Sequence, residues 1–590
     1  MHSRQHRTRV AGTEPGQRHL NRLQTTGREY RGLSRPEWSV QRTDDVPVPL
    51  RDGTRLRADV YRPDGDGRFP ALLSFSCYPR QIQDLGAPLG FIESGATDFF
   101  VPRGYAQVIA NARGTSGSEG TWSLLDEQER QDLFDTVEWI AAQPWCDGRV
   151  GMLGISYFAM AQLAAAVERP PHLAAVFPVA TTHDLYEAVR HHGLLNAHFI
   201  SAWLPAVGVL AHRPGEFWQT HRVDLVRHVL NTAPVHRRMA HVNGEAAVAV
   251  LRRLIHAQAP AEPFGRLWQE ATVEHRVRDG FWDERDLTER LRDIDIPVYL
   301  GCDLENVPLH LPSTFKVWKA LRDNAHVRMS LLPPGGLSWP WESLHVEALA
   351  WYDQWLKGVD TGILDGPPIR YQVVGTDQWR TADTWPPADS ELRPLALRAD
   401  GTLATDEGDP GVRELLHLPS DELSARPATL GPSPLPDRLS WQTPTLIEPL
   451  DVVGDVELRL DATTSGGDLA FIAVLQDVGP DGAMVPVTAG WLSAELREVD
   501  EAGSVDGAPE LPCRRALPVP AGEPVSYRIP IVPTAYRVAA GHRLRLVLTH
   551  DDRGEDGPTI LGFTHAPVGG ASHTVVRSSS RLLLPVLHRG

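Results

Sequence analysis

Trp145-Cys-Asp-Gly-Arg-Val-Gly-Met-Leu-Gly-Ile-Ser-Tyr157, continued by Phe158-Ala-Met-Ala-Gln-Leu-Ala-Ala-Ala-Val167, decides the fold. Val150 to Leu153 is a short apolar run, and the Ala/Leu-rich stretch after Tyr157 reads as a helix. Gly154, Ile155 and Ser156 stand between them. Strand, tight turn and helix around a Gly-x-Ser describe a nucleophile elbow, which lifts the serine hydroxyl above a sheet. Gly154 leaves room for the turn. The backbone N–H of Tyr157 is then an expected oxyanion donor. Phe158 fills the place of the last glycine in Gly-x-Ser-x-Gly, so the pattern is partial.

The flanking sequence repeats the same grammar. Phe69-Pro-Ala-Leu-Leu-Ser-Phe-Ser-Cys-Tyr-Pro79 is a buried strand ending in a loop that carries Tyr78, and Tyr105-Ala-Gln-Val-Ile-Ala-Asn111 is a second such strand. Leu133, Phe134, Val137, Ile140 and Ala141 then mark one face of an amphipathic helix. These are βαβ units, hence a mostly parallel sheet.

Arg51-Asp-Gly-Thr-Arg-Leu-Arg-Ala-Asp-Val-Tyr-Arg-Pro63, Asn111-Ala-Arg-Gly-Thr-Ser-Gly-Ser-Glu-Gly120, the elbow stretch and Trp351-Tyr-Asp-Gln-Trp-Leu-Lys-Gly358 occur together, with Asp477-Val-Gly-Pro-Asp-Gly482 and Val487-Thr-Ala-Gly-Trp-Leu492 further on. In this combination the chain resembles the cocaine esterase / X-prolyl dipeptidyl-peptidase (CocE/NonD) family of α/β-hydrolases, over most of its length beyond residue 45. The resemblance implies a serine hydrolase with Ser156 as nucleophile. It also implies that the Tyr78 phenol joins the Tyr157 N–H in the oxyanion hole. Implied substrates are small acyl esters, α-amino acid esters, side-chain amides of β-lactams and X-Pro dipeptides.

Composition bounds the rest. At 590 residues two or three domains are expected. A net charge of −17 argues against general nucleic-acid binding. No apolar run is long enough to predict a membrane span. The start, Met1-His-Ser-Arg-Gln-His-Arg-Thr-Arg9, lacks the apolar core of a secretory leader. Cys77, Cys146, Cys302 and Cys513 are widely spaced and read as buried thiols of a cytoplasmic protein. No metal cluster, dinucleotide fingerprint or phosphate loop is legible, so no cofactor and no metal are expected.

The expected fold class is α/β: an α/β-hydrolase with a mostly parallel sheet and a helical cap, plus an all-β jelly-roll C-terminal domain. Residues 1–40 form a polar arm expected to be disordered, the alternative being an arm packed on the partner subunit of a homodimer. The hydrolase domain is expected over 41–182 and 292–365, and the cap over 183–291, where aromatic helical segments carry Phe199 and Trp203. Residues 366–590 supply short alternating strands for the jelly roll.

A serine nucleophile needs a base, and the base needs an acid to hold its tautomer. The family carries its acid in a Gly-Trp-x-Asp loop; here the loop is Gly301-Cys-Asp-Leu-Glu-Asn-Val-Pro308. Asp303 is the expected acid, with Glu305 and Asn306 as alternatives. The family's histidine loop reads Leu332-Pro-Pro-Gly-Gly-Leu337 here and holds no histidine. His345, in Trp339-Pro-Trp-Glu-Ser-Leu-His345, is the expected base, and His310 the alternative. Trp339 and Trp341 are candidates for an acyl pocket. The expected function is hydrolysis of an ester or amide of a small acyl substrate through a Ser156 acyl-enzyme. The altered loops keep two alternatives open: a non-hydrolytic binding or scaffold relative, and an acyltransferase.

Overall fold

The structure is a computed structural model that describes residues 28–83, 92–211, 232, 262–334, 344–418, 437–467, 469–552, 564–566 and 570–588. Most of the expected arm, the middle of the expected cap, the loop carrying Trp339 and Trp341, and residues 419–436 lie outside the described residues.

Twelve strands of the first half are β1 (Val40–Pro49), β2 (Arg55–Pro63), β3 (Phe69–Ser76), β4 (Ala106–Asn111), β5 (Cys146–Met152), β6 (Leu173–Val176), a small hairpin of β7 (Arg190–His191) and β8 (Leu194–Leu195), β9 (Val298–Asp303), β10 (Val327–Leu332), β11 (Ile369–Gln372) and β12 (Trp379–Ala382). Among the described residues ten of them form one sheet in the order β1-β2-β4-β3-β5-β6-β9-β10-β11-β12. The run from β4 to β11 is parallel, because each crossover passes through a helix or long loop. Every residue of β3 and β4 is buried, as expected for strands covered on both faces.

The helices that matter for the site are α1 (Glu127–Ala141), α2 (Tyr157–Glu168), α3 (Ala197–Ala211), α4 (Leu311–Ala320) and α5 (His345–Lys357). The Trp351–Gly358 motif turns out to bolt α5 to the sheet. Trp351 Nε1 donates to the Val176 carbonyl at 3.0 Å, the Tyr352 hydroxyl donates to the Met152 carbonyl, and Tyr105 donates to Asp353 at 2.7 Å. Gly358 ends the helix at φ 69°, a left-handed position that suits glycine.

The sheet does not stop at residue 365. β11 and β12 extend it, so the stretch expected to open the second domain first adds two strands to the hydrolase sheet. Parallel pairing of Met329–Leu331 with Ile369–Tyr371 gives β10 a second neighbour and covers what would otherwise be an open edge.

From Ser390 onward the chain is an all-β domain. Among the described residues eleven strands form its sheet, with Leu450–Thr464 and Pro524–Val538 as its longest pair. The two ends of the sheet approach each other where Thr402 bridges Gln442 and Gln442 N donates to the Gly401 carbonyl at 2.9 Å. The sheet is thus nearly a closed barrel, which leaves little unpaired edge. The β7–β8 hairpin ties the two halves together. His191 Nδ1 lies 2.7 Å from His565 Nε2, His565 Nδ1 lies 2.8 Å from Asp552, and Ser493 N donates to the His192 carbonyl at 3.0 Å.

Candidate active site

In chain order β4 adds on one side of β3 and β5 on the other. The direction of winding therefore switches between β3 and β5. Loops leaving the carboxyl ends of strands at such a point frame the crevice where open α/β sheets bind ligands. The loop after β3 carries Tyr78, and the turn after β5 carries Ser156.

Ser156 has φ 58° and ψ −121°, a strained conformation for a residue with a side chain and the signature of a nucleophile elbow. Neighbouring backbone holds it there. Ser156 N donates to the Ala180 carbonyl at 3.0 Å, and Ile155 N to the Glu93 carbonyl at 3.1 Å. Gly154 has φ 124°, and a Cβ on it would collide with Phe158 and stand 3.0 Å from the Glu93 carbonyl oxygen. The buried Gln162 amide locks the turn from beneath, donating to the Gly154 carbonyl at 2.9 Å and accepting from Phe177 N at 2.7 Å.

The Tyr78 phenol is buried beside the Ser156 side chain. Burial pushes its pKa well above the ordinary value, so it stays protonated and able to donate. Its loop is held by the motif residues. Asn111 Nδ2 donates to the Tyr78 carbonyl at 2.6 Å, and Asn111 Oδ1 accepts from Arg80 N at 3.2 Å. Arg80 in turn pairs with Asp59 at 3.0 Å and Asp45 at 2.6 Å. The two upstream motifs are the scaffold of the tyrosine.

Tyr157 heads α2, so its N–H is among the helix-start donors without an intrahelical acceptor. Its side chain points away into the core: the hydroxyl donates to Glu129 at 2.6 Å and accepts from Trp122 Nε1 at 3.0 Å. Burial lifts the Glu129 carboxyl to about 8. The sequence announces Glu129 only as the fourth residue of an Asp-x-x-Glu helix start, in which Asp126 caps the Glu129 N–H at 2.9 Å. Its partner Tyr157 is a tertiary choice.

The expected acid and base are both at this edge of the sheet but are not joined. Asp303 ends β9. It accepts from the Cys302 thiol at 3.7 Å and from the Asn306 side chain, and burial, with Glu305 adding to it, raises it to about 7. Asn306 instead organises the entry to α4, its Oδ1 accepting from His310 N at 3.1 Å. His310 Nδ1 lies 2.9 Å from the Thr182 hydroxyl, and burial lowers the ring to about 3. His345 begins α5, stacked on Phe99 at 5.4 Å and edge-on to Phe100 at 5.3 Å. Its Nε2 accepts from Ala96 N at 3.3 Å, and burial first, then Arg103, lowers it to about 3. Among the described residues no hydrogen bond joins Ser156 or Asp303 to a histidine. Trp339 and Trp341 lie outside the described residues. Sequence reasoning missed one contact of the site: Trp203 of α3 donates its indole N–H to the Tyr78 oxygen at 2.8 Å.

Comparison with known proteins matches this architecture. The family profile of the X-Pro dipeptidyl-peptidase (S15 family) matches residues 52–335, and that of the X-Pro dipeptidyl-peptidase C-terminal non-catalytic domain matches residues 361–555. The chain is 30% identical over 502 residues to the cocaine esterase of Rhodococcus sp. (strain MB1 Bresler), covering 77% of this chain and 83% of that protein. It is 27% identical to a putative serine esterase of Mycobacterium tuberculosis, covering 94% of this chain and 96% of that one. Its fold is that of a CocE/NonD family hydrolase from Staphylococcus aureus, with a TM-score of 0.72 at 21% identity over 93% of this chain and 94% of the other. An α-amino acid ester hydrolase shares the fold with a TM-score of 0.65 at 17% identity, covering 95% and 98% of the two chains. The two-domain frame is thus that of a known group, and the chain belongs to the cocaine esterase / X-Pro dipeptidyl-peptidase family of serine hydrolases.

Proposed function

We propose that this hydrolase cleaves an ester or amide of a small acyl substrate through an acyl-enzyme on Ser156. The observation that carries the reading is the strained Ser156 at the elbow, with the buried Tyr78 phenol beside it. Attack by Oγ on the carbonyl carbon puts negative charge on the carbonyl oxygen, and Tyr78 Oη–H and Tyr157 N–H receive it. Preorganised donors of this kind act on charge that exists only in the transition state. Expulsion of the leaving group gives the acyl-enzyme, and water then releases the acid.

In this mechanism His345 is the base that takes the Ser156 proton and Asp303 the acid that orients it. Both lie at the carboxyl edge of the sheet, and the 3.3 Å bond from Ala96 to His345 is long for a hydrogen bond. Exchange of that bond for the serine hydroxyl on substrate binding is what the role requires. His310 is the alternative base, and its Nδ1 would have to leave Thr182. The setting proposed for the enzyme is the cytoplasm, with a homodimer as its assembly; the four cysteines are all buried and free, which suits a reducing compartment.

Labelling with an alkyl fluorophosphonate tests the reading. Stoichiometric modification of Ser156, absent from Ser156→Ala, supports it. No labelling above that control moves the chain to the non-hydrolytic alternative. Labelling with acyl transfer to an added alcohol or amine in preference to water moves it to the acyltransferase.

A further inference from the structure

Trp203 sits in the middle of α3, 125 residues along the chain from Tyr78, with its Nε1 2.8 Å from the phenol oxygen. An indole N–H only donates. The phenol oxygen therefore accepts from Trp203, and its single proton has to leave in another direction. The Ser156 side chain is a neighbour of the phenol. The Trp203 bond favours the ionised phenol while burial opposes and outweighs it, so the group stays protonated yet becomes a stronger donor.

The helix is held so that this geometry persists. Ser116 N donates to the Ala211 carbonyl at the end of α3 at 2.7 Å. At its start Asn196 Nδ2 donates to the Pro308 carbonyl at 3.3 Å. The Trp203 ring stacks on Tyr157 at 6.4 Å and on Phe199 at 5.7 Å, and meets Trp122 edge-on at 6.3 Å. Gly208 lets Phe264 approach the same helix; a Cβ there would lie 3.1 Å from the Phe264 ring.

We propose that Trp203 is a positioning residue of the oxyanion hole: its indole N–H occupies the acceptor side of Tyr78 and turns the phenol proton toward the oxygen that becomes charged. Helix α3 is by this means part of the catalytic apparatus as well as a wall of the site. The inference rests on the proposed hydrolase reading of Ser156.

A double-mutant cycle on hydrolysis of 4-nitrophenyl butyrate tests it, with fluorophosphonate labelling rate as the second readout. Trp203→Phe keeps the stacked ring and deletes the N–H. The expected loss is about tenfold in kcat, the effect of one neutral hydrogen bond, with KM little changed. In the Tyr78→Phe background the same substitution is expected to cost nothing more, because the N–H acts only through the phenol. Equal losses in both backgrounds, or a change confined to KM, overturn the inference and leave the hydrolase reading standing. A wild type that is neither labelled nor active overturns that reading and the inference with it. Should Trp203→Phe lower the unfolding temperature, benzothienylalanine at position 203, which keeps the indole shape without the N–H, replaces it in the cycle.

Discussion

The two halves of the candidate site are built differently. The nucleophile and oxyanion half rests on β3, β5 and α2, and every group in it is tied to its neighbours: Ser156 to Ala180, Tyr78 to Asn111 and Trp203, Gly154 to Gln162. The acid and base half rests on the ends of β9 and β10 and the start of α5. There Asp303, His310 and His345 are each bonded to something other than the serine. The difference teaches where catalytic geometry is rigid without substrate. Backbone strain at the elbow survives because packed strands and a buried amide over-determine it. A histidine at a helix start has no such constraint toward the serine, and catalytic hydrogen bonds of this kind often tighten only in the substrate complex.

Substitutions can break or sharpen this contrast. The largest effect belongs to Ser156→Ala, expected to lower turnover of 4-nitrophenyl butyrate by about 10⁶-fold and to abolish labelling, since loss of the nucleophile removes the whole relay. His345→Ala is expected to be nearly as crippled, with the Ser156→Ala/His345→Ala pair little worse, while His310→Ala keeps activity. The reverse pattern assigns the base to His310, and two active single variants remove both histidines from the relay. Asp303→Asn comes next, at about 10⁴-fold in kcat, the cost of a wrong tautomer. Damage by Asn306→Ala with Asp303→Asn intact would shift the orienting role to the amide.

Tyr78→Phe tests the rigid half. Loss of one preorganised donor is expected to cost about 10²–10³ in kcat with KM nearly unchanged. An unaltered kcat would falsify the oxyanion role of Tyr78.

The smallest effect is one of stability. Glu129 is raised by burial to about 8, above its unfolded value near 4.3. The folded state binds this proton more tightly, so the contribution is present below the unfolded pKa and is lost as pH rises through the folded one. Gln at this position has no such proton. The unfolding temperature of Glu129→Gln minus that of the wild type is therefore expected to increase from about pH 4.5 to pH 8. A difference independent of pH means that Glu129 is ionised in the folded protein throughout.

Much of the rigid half was legible in the chain. A strand-turn-helix pattern with Gly154 two residues before Ser156 specifies an elbow because few residues tolerate that backbone, and the apolar runs of β3, β4 and β5 specify a covered parallel sheet. These are local and periodic signals. The motifs around Asn111 and Trp351 were legible as marks of a family, whereas their work, holding Tyr78 and bolting α5 to β5 and β6, emerged only from contacts in space. Tertiary structure alone decided the rest. β11 and β12 joined the hydrolase sheet because β10 offered an open edge, a fact of assembly that no alternation in Ile369–Ala382 announces. Glu129 met Tyr157 and Trp203 met Tyr78 because two helices from distant parts of the chain pack over the elbow. A residue's type and neighbours in sequence say which bonds it is able to make; packing of buried donors and acceptors, each costly to leave unpaired, selects the partner.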